Sequence, residues 1–265
     1  MAYTYAELLE AYEALGVSTG RTVYVTSDLT RLRQFEDKGK KAVLEAHHRA
    51  LRFLIGDTGT IVVPTGTINL CNTDTVFDVD QTPSYQVGVF SEYLRQMPDA
   101  RRSFHPFVSY AAIGPNAERI VNNVSRHAFG PETPEARMVD LDTLSVSVGL
   151  YPRYSCSTLH QVEQVMTVPY RYVKEYIHPV VRDGKVVHEP FYQYVWYRDA
   201  DIERNYGKWI FPRFAEDHDV RRIEVGRGRI YSYSMREFVS AASRMMLEDP
   251  YIWCETPPTV RPWQE

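Results

Sequence analysis

The chain has 265 residues, 44% of them hydrophobic, enough to bury a core in one large domain or two small ones. Asp and Glu number 34 against 30 Lys and Arg, a formal charge of -4, so there is no basic surplus to neutralise a nucleic-acid backbone. The 3 cysteines, Cys71, Cys156 and Cys254, are too scattered for a disulfide framework or a zinc cluster, and no apolar run is long enough to span a membrane.

Leu8, Leu9, Tyr12 and Leu15 recur at helical spacing, predicting an amphipathic helix from Tyr5 to Leu15 that ends before Gly16. Val23-Tyr24-Val25 predicts a short strand, and Thr26-Ser27-Asp28 then offers a helix N-cap. Val43, Ala46, His47, Ala50, Leu51 and Leu54 predict a second helix, and Gly56 and Gly59 bracket the turn into a buried strand at Ile61-Val62-Val63. Thr82-Pro83-Ser84 reads as a helix start, with the helix running to about Met97. Ser109 to Ile113 predicts a strand. So does the alternation of Leu144, Val146 and Val148 with Thr143, Ser145 and Ser147.

Helix and strand alternate through this part, which predicts an α/β fold with a central mixed sheet flanked by helices. After Pro169 the texture becomes aromatic and β-branched. Tyr170 to Trp196 reads as a hairpin turning at Asp183-Gly184. Ile230 to Tyr233 predicts a last strand and Arg236 to Met246 a last helix. The expected organisation is one domain over residues 1–265, with a core at 1–170 and a β-rich C-terminal elaboration at 171–265. No signal peptide is visible at the N-terminus, so the expected location is the cytoplasm.

The sequence analysis singles out His160 and Glu163, three residues apart on a predicted helix, where a carboxylate can orient an imidazole and raise its basicity. Helical spacing half-buries Glu163 and turns His160 toward a cleft or solvent; the same pair would also suit a surface of no catalytic consequence. Thr26 to Thr30 follows a strand, where free amides and hydroxyls can bind phosphate or an amide, or simply cap a helix. Arg101 and Arg102 could clamp an anionic cofactor or lie solvated at a helix end, and His105 before Pro106 fits a structural role in a loop. Cys156, one turn before His160, would be a thiol nucleophile in a ping-pong route or an inert buried cysteine. No Gly-rich nucleotide motif and no metal-ligand cluster is present.

Over roughly residues 5–172 these pieces, in order, resemble the aminoglycoside 3-N-acetyltransferase family. Its His-Ser-Ser-Leu stretch is matched by Thr26-Ser27-Asp28-Leu29, and its Thr-Pro-Ser…Gly…Glu segment by Thr82-Pro83-Ser84, Gly88 and Glu92. Arg102, Ser103, His105, Pro106 and Ser109 match its Arg-Ser-x-His-Pro-x-x-Ser motif. Phe129-Gly130-Pro131-Glu132-Thr133-Pro134 matches its Phe-Gly-Pro turn. Leu159, His160 and Glu163 match Leu-His-x-x-Glu, followed by Val168-Pro169-Tyr170-Arg171.

The resemblance implies direct acetyl transfer from acetyl-coenzyme A, as co-substrate and without a metal, to the amine of an aminoglycoside or amino sugar. It implies His160 as base, Glu163 orienting it and Ser157 beside them. Coenzyme A contacts are expected from Ser27, Asp28, Leu29, Arg102, Ser103 and Phe129. The implied partner is a small-molecule amine, with no nucleic acid and no membrane, and the protein is a monomer or homodimer. A Cys/Ser-based acyl hydrolase and a non-catalytic binding module are the other classes.

The family's Asn-Thr-x-Leu-His becomes Cys156-Ser157-Thr158-Leu159-His160. The loop Leu150 to Tyr154 and the segment between Ser84 and Gly88 each run one residue longer than in the family. These departures bear on the acceptor more than on the reaction. The later third is rich in Arg171, Lys174, Arg182, Arg198, Arg204 and Arg229 interleaved with Tyr176, Phe191, Tyr194 and Trp196. That composition favours an amino sugar carrying phosphate, such as a nucleotide-linked sugar, or a biosynthetic natural-product amine, unless these charges are surface or Asp74, Asp78, Asp80, Asp217 and Asp219 line the cleft instead.

Overall fold

The computed structural model describes residues 2–198, 201–205 and 208–259. Helix α1 (Tyr5–Ala14) starts at a capping box: Thr4 accepts from the Glu7 amide, and Glu7 accepts from the Thr4 amide. There follow β1 (Thr22–Ser27), α2 (Lys40–Ile55), β2 (Thr60–Pro64), α3 (Val89–Arg95), β3 (Arg101–Arg102), β4 (Tyr110–Ile113), α4 (Ala117–Val121), α5 (Pro134–Asp140), β5 (Leu144–Val148) and α6 (Thr158–Val165). Then come β6 (Arg171–Arg182), β7 (Lys185–Trp196), α7 (Ile210–Asp217), β8 (Arg221–Val225), β9 (Gly228–Ser234) and α8 (Met235–Glu248). A 7-stranded sheet has the order β3-β4-β2-β1-β5-β9-β8. β1 runs parallel to β2 and β5, while β4, β3, β9 and β8 pair antiparallel. The expected mixed sheet flanked by helices is therefore the one observed.

Strand alternation sorts the core into two layers. Val23 and Val25 of β1, Ile61 and Val63 of β2 and Val146 and Val148 of β5 meet Leu8 and Tyr12 of α1, Leu44 and Leu51 of α2 and Phe90 of α3. Tyr24, Val62, Tyr110 and Ala112 occupy the opposite face against Ile120, Met138 and Met235. Ser145 and Ser147 of β5 share that opposite face and are buried too. Ser147 Oγ lies 3.1 Å from Thr26 Oγ1 and 2.9 Å from Ser155 Oγ. The small polar side chains of β5 thus leave room for a polar site.

Two expected helix starts are corrected. Thr82-Pro83-Ser84 begins no helix; α3 starts at Val89, behind Gly88 at φ 94°. The Ser84 amide and hydroxyl both donate to Glu92 Oε2, at 2.9 and 2.6 Å, so the segment is tied to α3 from outside. Thr26-Ser27-Asp28 caps nothing either: Ser27 ends β1, and the 3₁₀ turn Leu29–Leu32 has no side-chain cap because Asp28 binds Thr30 Oγ1 and Arg31 Nε. The Asp183-Gly184 hairpin forms as expected, with φ of 49° and 72°, the left-handed pair that a two-residue turn of this type requires. Strand β8 escapes the sequence reading because it is a charged edge strand, with Arg221, Arg222 and Glu224 exposed.

His47 of α2 is fully buried between two tyrosines: Tyr12 Oη is 2.7 Å from Nδ1 and Tyr3 Oη 3.1 Å from Nε2. Burial pulls its pKa from 6.5 to about 3. Between those values the unfolded chain binds a proton that the folded chain refuses, so this site costs stability as pH falls. His47→Gln is expected to flatten the pH dependence of urea unfolding by up to about 1.4 kcal/mol per pH unit over that window. An unchanged slope would remove His47 as a contributor.

Candidate active site

Helix α6 is held by Leu159 and Val162, which pack into a cluster with Phe214, Phe238 and Trp253. One turn apart on this helix, His160 Nδ1 and Glu163 Oε2 are 2.8 Å apart. The His160 side chain is 32% exposed and Glu163 0%, so the carboxylate is fully rather than half buried. A buried carboxylate needs full pairing. Arg171 provides it: Nε donates to Glu163 Oε1 at 2.8 Å and Nη1 to the Tyr194 carbonyl at 2.8 Å, and the guanidinium lies 4.7 Å over the Trp196 ring. The sequence reading passed over Arg171 as a functional residue, although the Val168-Pro169-Tyr170-Arg171 motif held the signal.

His160 Nδ1 is also 3.2 Å from Arg171 Nη2. It cannot donate to the carboxylate and accept from the guanidinium at once, and the shorter, charge-assisted contact places its hydrogen toward Glu163. Nε2 is then the bare acceptor. Burial lowers the His160 pKa below 6.5, and Glu163 opposes the fall while Arg171 and Arg204 add to it. The ring is therefore a neutral base at neutral pH. Phe129 and Trp253 flank it at ring-centroid distances of 5.4 and 5.0 Å. Phe129 is held there because the Gly130 amide donates to Gln161 Oε1 at 2.7 Å.

Beside His160 lies a second buried carboxylate that sequence reasoning missed. Glu135 accepts hydroxyl hydrogen bonds from Ser157, from Tyr110 at 2.7 Å and from Thr158 at 3.3 Å, and Tyr24 Oη is 3.0 Å from Ser157 Oγ. Burial raises the Glu135 pKa and the three hydroxyls pull it back. Glu135 directly follows the Phe129–Pro134 motif but lies outside it; only the packing of α5 against α6 brings it to Ser157.

Two cavities, of about 770 and 680 Å³, meet at His160. Tyr24, Pro64, Val87, Ser157, His160 and Arg204 line both. The first runs along Thr26 to Thr30, Gly88 and the loop carrying Arg153 and Tyr154. Glycine is required at its edges: a Cβ on Gly88 (φ 94°) would stand 2.5 Å from the Ser27 carbonyl, and one on Gly149 (φ 72°) 2.3 Å from that of Asp28. Ser27 Oγ, buried in this wall, has no hydrogen-bond partner among the described residues. The second cavity lies between Phe107, Phe129 and the β7 residues Gln193 to Trp196.

Of the residues singled out in the sequence, Ser27, Asp28 and Leu29 thus line the first cavity, and Ser157 and His160 stand where the two meet. Glu163 backs the imidazole. Phe129 lines the second cavity and not the first. Arg102 and Ser103 line neither. Arg102 donates to Ser109 Oγ (3.1 Å) and to the carbonyls of Thr82 (2.5 Å) and Thr65 (2.6 Å), and burial pushes its pKa down to about 10. Ser103 Oγ accepts from the Tyr110 amide at 2.9 Å. Both hold the loop that follows β3, and a guanidinium so engaged has little left for a coenzyme phosphate. His105 is structural: Nδ1 accepts from the Phe107 and Val108 amides, and Nε2 faces the Arg126 carbonyl at 3.1 Å. Burial pushes the Cys156 thiol up to about 12, which disfavours the thiolate that a covalent route needs. Among the described residues no group of His, Cys, Asp and Glu is placed to hold a metal ion, and no helix is long and apolar enough to cross a membrane.

Arg171→Met is expected to cost about 3–5 kcal/mol in chemical denaturation because it strands a buried carboxylate. Adding Glu163→Gln should recover much of that loss; additive losses would show that the pair is not coupled. Arg102→Met should lower stability and leave coenzyme A affinity within about twofold by calorimetry, since its charge-assisted bonds go to the protein. A tenfold weaker affinity would return this arginine to the coenzyme site.

The aminoglycoside 3-N-acetyltransferase family model matches residues 24–247. The chain is 29% identical to aminoglycoside N(3)-acetyltransferase IV from Salmonella sp over 255 residues, covering 95% of this chain and 90% of that protein. It is 30% identical to aminoglycoside N(3)-acetyltransferase III from Salmonella sp over 221 residues, 77% of this chain and 72% of the relative. The crystal structure of the AAC(3)-IVa apoenzyme superposes with a TM-score of 0.78 at 26% identity, covering 97% of this chain and 93% of that one. AAC-IIIb bound to CoASH shares the fold, with a TM-score of 0.82 at 19% identity and coverage of 94% and 97%. The chain therefore belongs to the aminoglycoside 3-N-acetyltransferase family.

Proposed function

We propose that this N-acetyltransferase moves acetyl from acetyl-coenzyme A to a primary amine of an aminoglycoside or amino sugar at the junction of the two cavities. The observation that carries this reading is the junction itself: one neutral imidazole, oriented by a fully buried carboxylate, lines both cavities at once. Two structural relatives agree with it, one AAC-IIIb bound to CoASH and the other an AAC(3)-IVa mutant in complex with a gentamicin.

The first cavity suits the coenzyme. Its wall offers the orphaned Ser27 hydroxyl, the turn at Asp28 and Leu29, and a cation at Arg153 for phosphate. When bound there, acetyl-coenzyme A supplies an activated thioester carbonyl. His160 Nε2 takes the proton of the attacking amine and returns one to the departing sulfur. Glu163 stabilises the imidazolium in between, and Arg171 holds Glu163 in place. Ser157 acts by placement: its hydrogen is engaged by Glu135, so it orders Tyr24 and the start of α6 rather than attacking. The whole chain works as one domain, since β8 and β9 close the sheet that carries Ser27. The 3 free cysteines suit a reducing cytoplasm.

His160→Ala is expected to lower the acetylation rate about 10²–10⁴-fold while coenzyme A binding persists. Near-normal turnover would overturn the base assignment. Glu163→Gln should cost less and move the acid limb of the pH–rate profile to lower pH. The base works when deprotonated, and removing the charge that stabilises its protonated form lowers its pKa further. An acid limb that stays in place would mean that His160 does not set it.

A further inference from the structure

The hydroxyl of Ser157 has its hydrogen turned away from the junction. Ser157 is half-buried and lines both cavities beside His160. It donates to Glu135 Oε1, and Tyr110 donates to the same oxygen at 2.7 Å. A serine has one hydrogen to give, so Ser157 Oγ accepts in its 3.0 Å contact with Tyr24 Oη. The direction does not depend on the charge of Glu135. Oε1 already takes two hydroxyl hydrogens, so a hydrogen on the carboxyl sits on Oε2, toward Thr158 Oγ1 at 3.3 Å. Glu135 is fully buried, and these three hydroxyls are its partners among the described residues. Ser157 Oγ therefore gives one hydrogen, takes one, and keeps one lone pair. The junction thus holds two acceptors on neighbouring turns of α6, this lone pair and the bare Nε2 of His160.

We infer that Glu135 is a positioning residue for the transfer: it turns the Ser157 oxygen to the junction as a hydrogen-bond acceptor, which takes the second N–H of the attacking amine while His160 Nε2 takes the first. The inference rests on the acetyl-transfer reading above and adds to it a means of selecting primary amines. The transfer balances. The nitrogen lone pair bonds to the acetyl carbon, and the carbon–sulfur bond breaks. One N–H hydrogen passes through His160 to the sulfur; the other stays on the product amide. Positive charge grows on the nitrogen as its bond to carbon forms, and an acceptor already aimed at that second N–H stabilises it. The Ser157 hydroxyl is not a donor to the oxyanion of the thioester carbonyl, because its hydrogen is held by Glu135. A secondary amine has one N–H, which satisfies His160 and leaves Ser157 without a partner. The cost of that unmade contact is about tenfold in rate.

The test measures coenzyme A thiol release with glucosamine and with its N-methyl derivative, at a pH that leaves both amines neutral. The expected kcat/KM is at least about tenfold higher for glucosamine. Ser157→Ala should narrow that ratio, and Ser157→Thr, which keeps a hydroxyl, should preserve it. Glu135→Leu should narrow it too, because the freed Ser157 hydrogen can turn toward the junction. Glu135→Gln should preserve it, since its carbonyl oxygen can take the same two hydroxyls while its amide donates to Thr158. If Glu135→Leu does not fold, the Ser157 pair and Glu135→Gln carry the test. Residues that only support the fold would slow both amines alike. A ratio that stays at the wild-type value in Ser157→Ala or in a folded Glu135→Leu, or that is lost in Glu135→Gln, would overturn this inference and leave the transfer reading standing. So would equal turnover of the two amines by the wild type. Calorimetry on coenzyme A-saturated wild-type protein separates the opposite case. Tighter binding of glucosamine than of N-methylglucosamine and glucose, with no amine acetylated, would keep the amine contact and overturn the transfer reading. Equal binding of the three sugars would overturn the amine contact.

Discussion

The site depends on one buried charge. Glu163 sits on α6 with no access to solvent, and both its oxygens are paired there: Arg171 meets one and His160 the other, each at 2.8 Å. That arrangement does three things at once. It fixes the imidazole tautomer, it turns Nε2 toward the cavity junction, and it ties the start of β6 to α6. Arg171 in turn bonds the Tyr194 carbonyl on β7 and stacks over Trp196, so the hairpin that walls the second cavity is registered against the base by the same guanidinium. A change in either partner would disturb the orientation of the base and the shape of the wall together.

A second carboxylate serves the other side of the junction. Glu135 gathers Ser157, Tyr110 and Thr158, and through Ser157 it reaches Tyr24. These residues come from β1, β4, α5 and α6, so the network joins the sheet to the helix bearing the base. A fully satisfied buried network of this kind rigidifies the junction of the two cavities. The β5 serines form a separate set of contacts, in which Ser147 meets Thr26 of β1 and Ser155 of the loop before α6.

The two cavities differ in kind. The first is shaped by close backbone approach, with glycines where any side chain would strike Ser27 or Asp28. The second is shaped by large aromatic side chains and inward-facing arginines. The departures of this chain from the family pattern fall mainly on the first cavity, which Gln86 after Ser84 and Leu150, Arg153 and Tyr154 before Ser157 line.

Much of this was legible in the sequence. Period-two and period-3.6 patterns marked β1, β2, β5, α1 and α2 because these elements bury one well-defined face against a layer. Asp183-Gly184 marked the hairpin because its turn needs two left-handed residues. The spacing of His160 and Glu163 marked the pair, since neighbours on one helix need no tertiary information to touch. Charge and burial were not legible. Whether Glu163 is exposed, whether Arg102 faces a ligand or four protein acceptors, and that Glu135 meets Ser157 depend on residues many positions away in the chain. Sequence by itself determined the α/β layering and the contact of His160 with Glu163, because both follow from local periodicity. Only the tertiary structure decided which arginines line the second cavity, because a side chain's electrostatic neighbours are set by the packing of distant elements and not by its position in the chain.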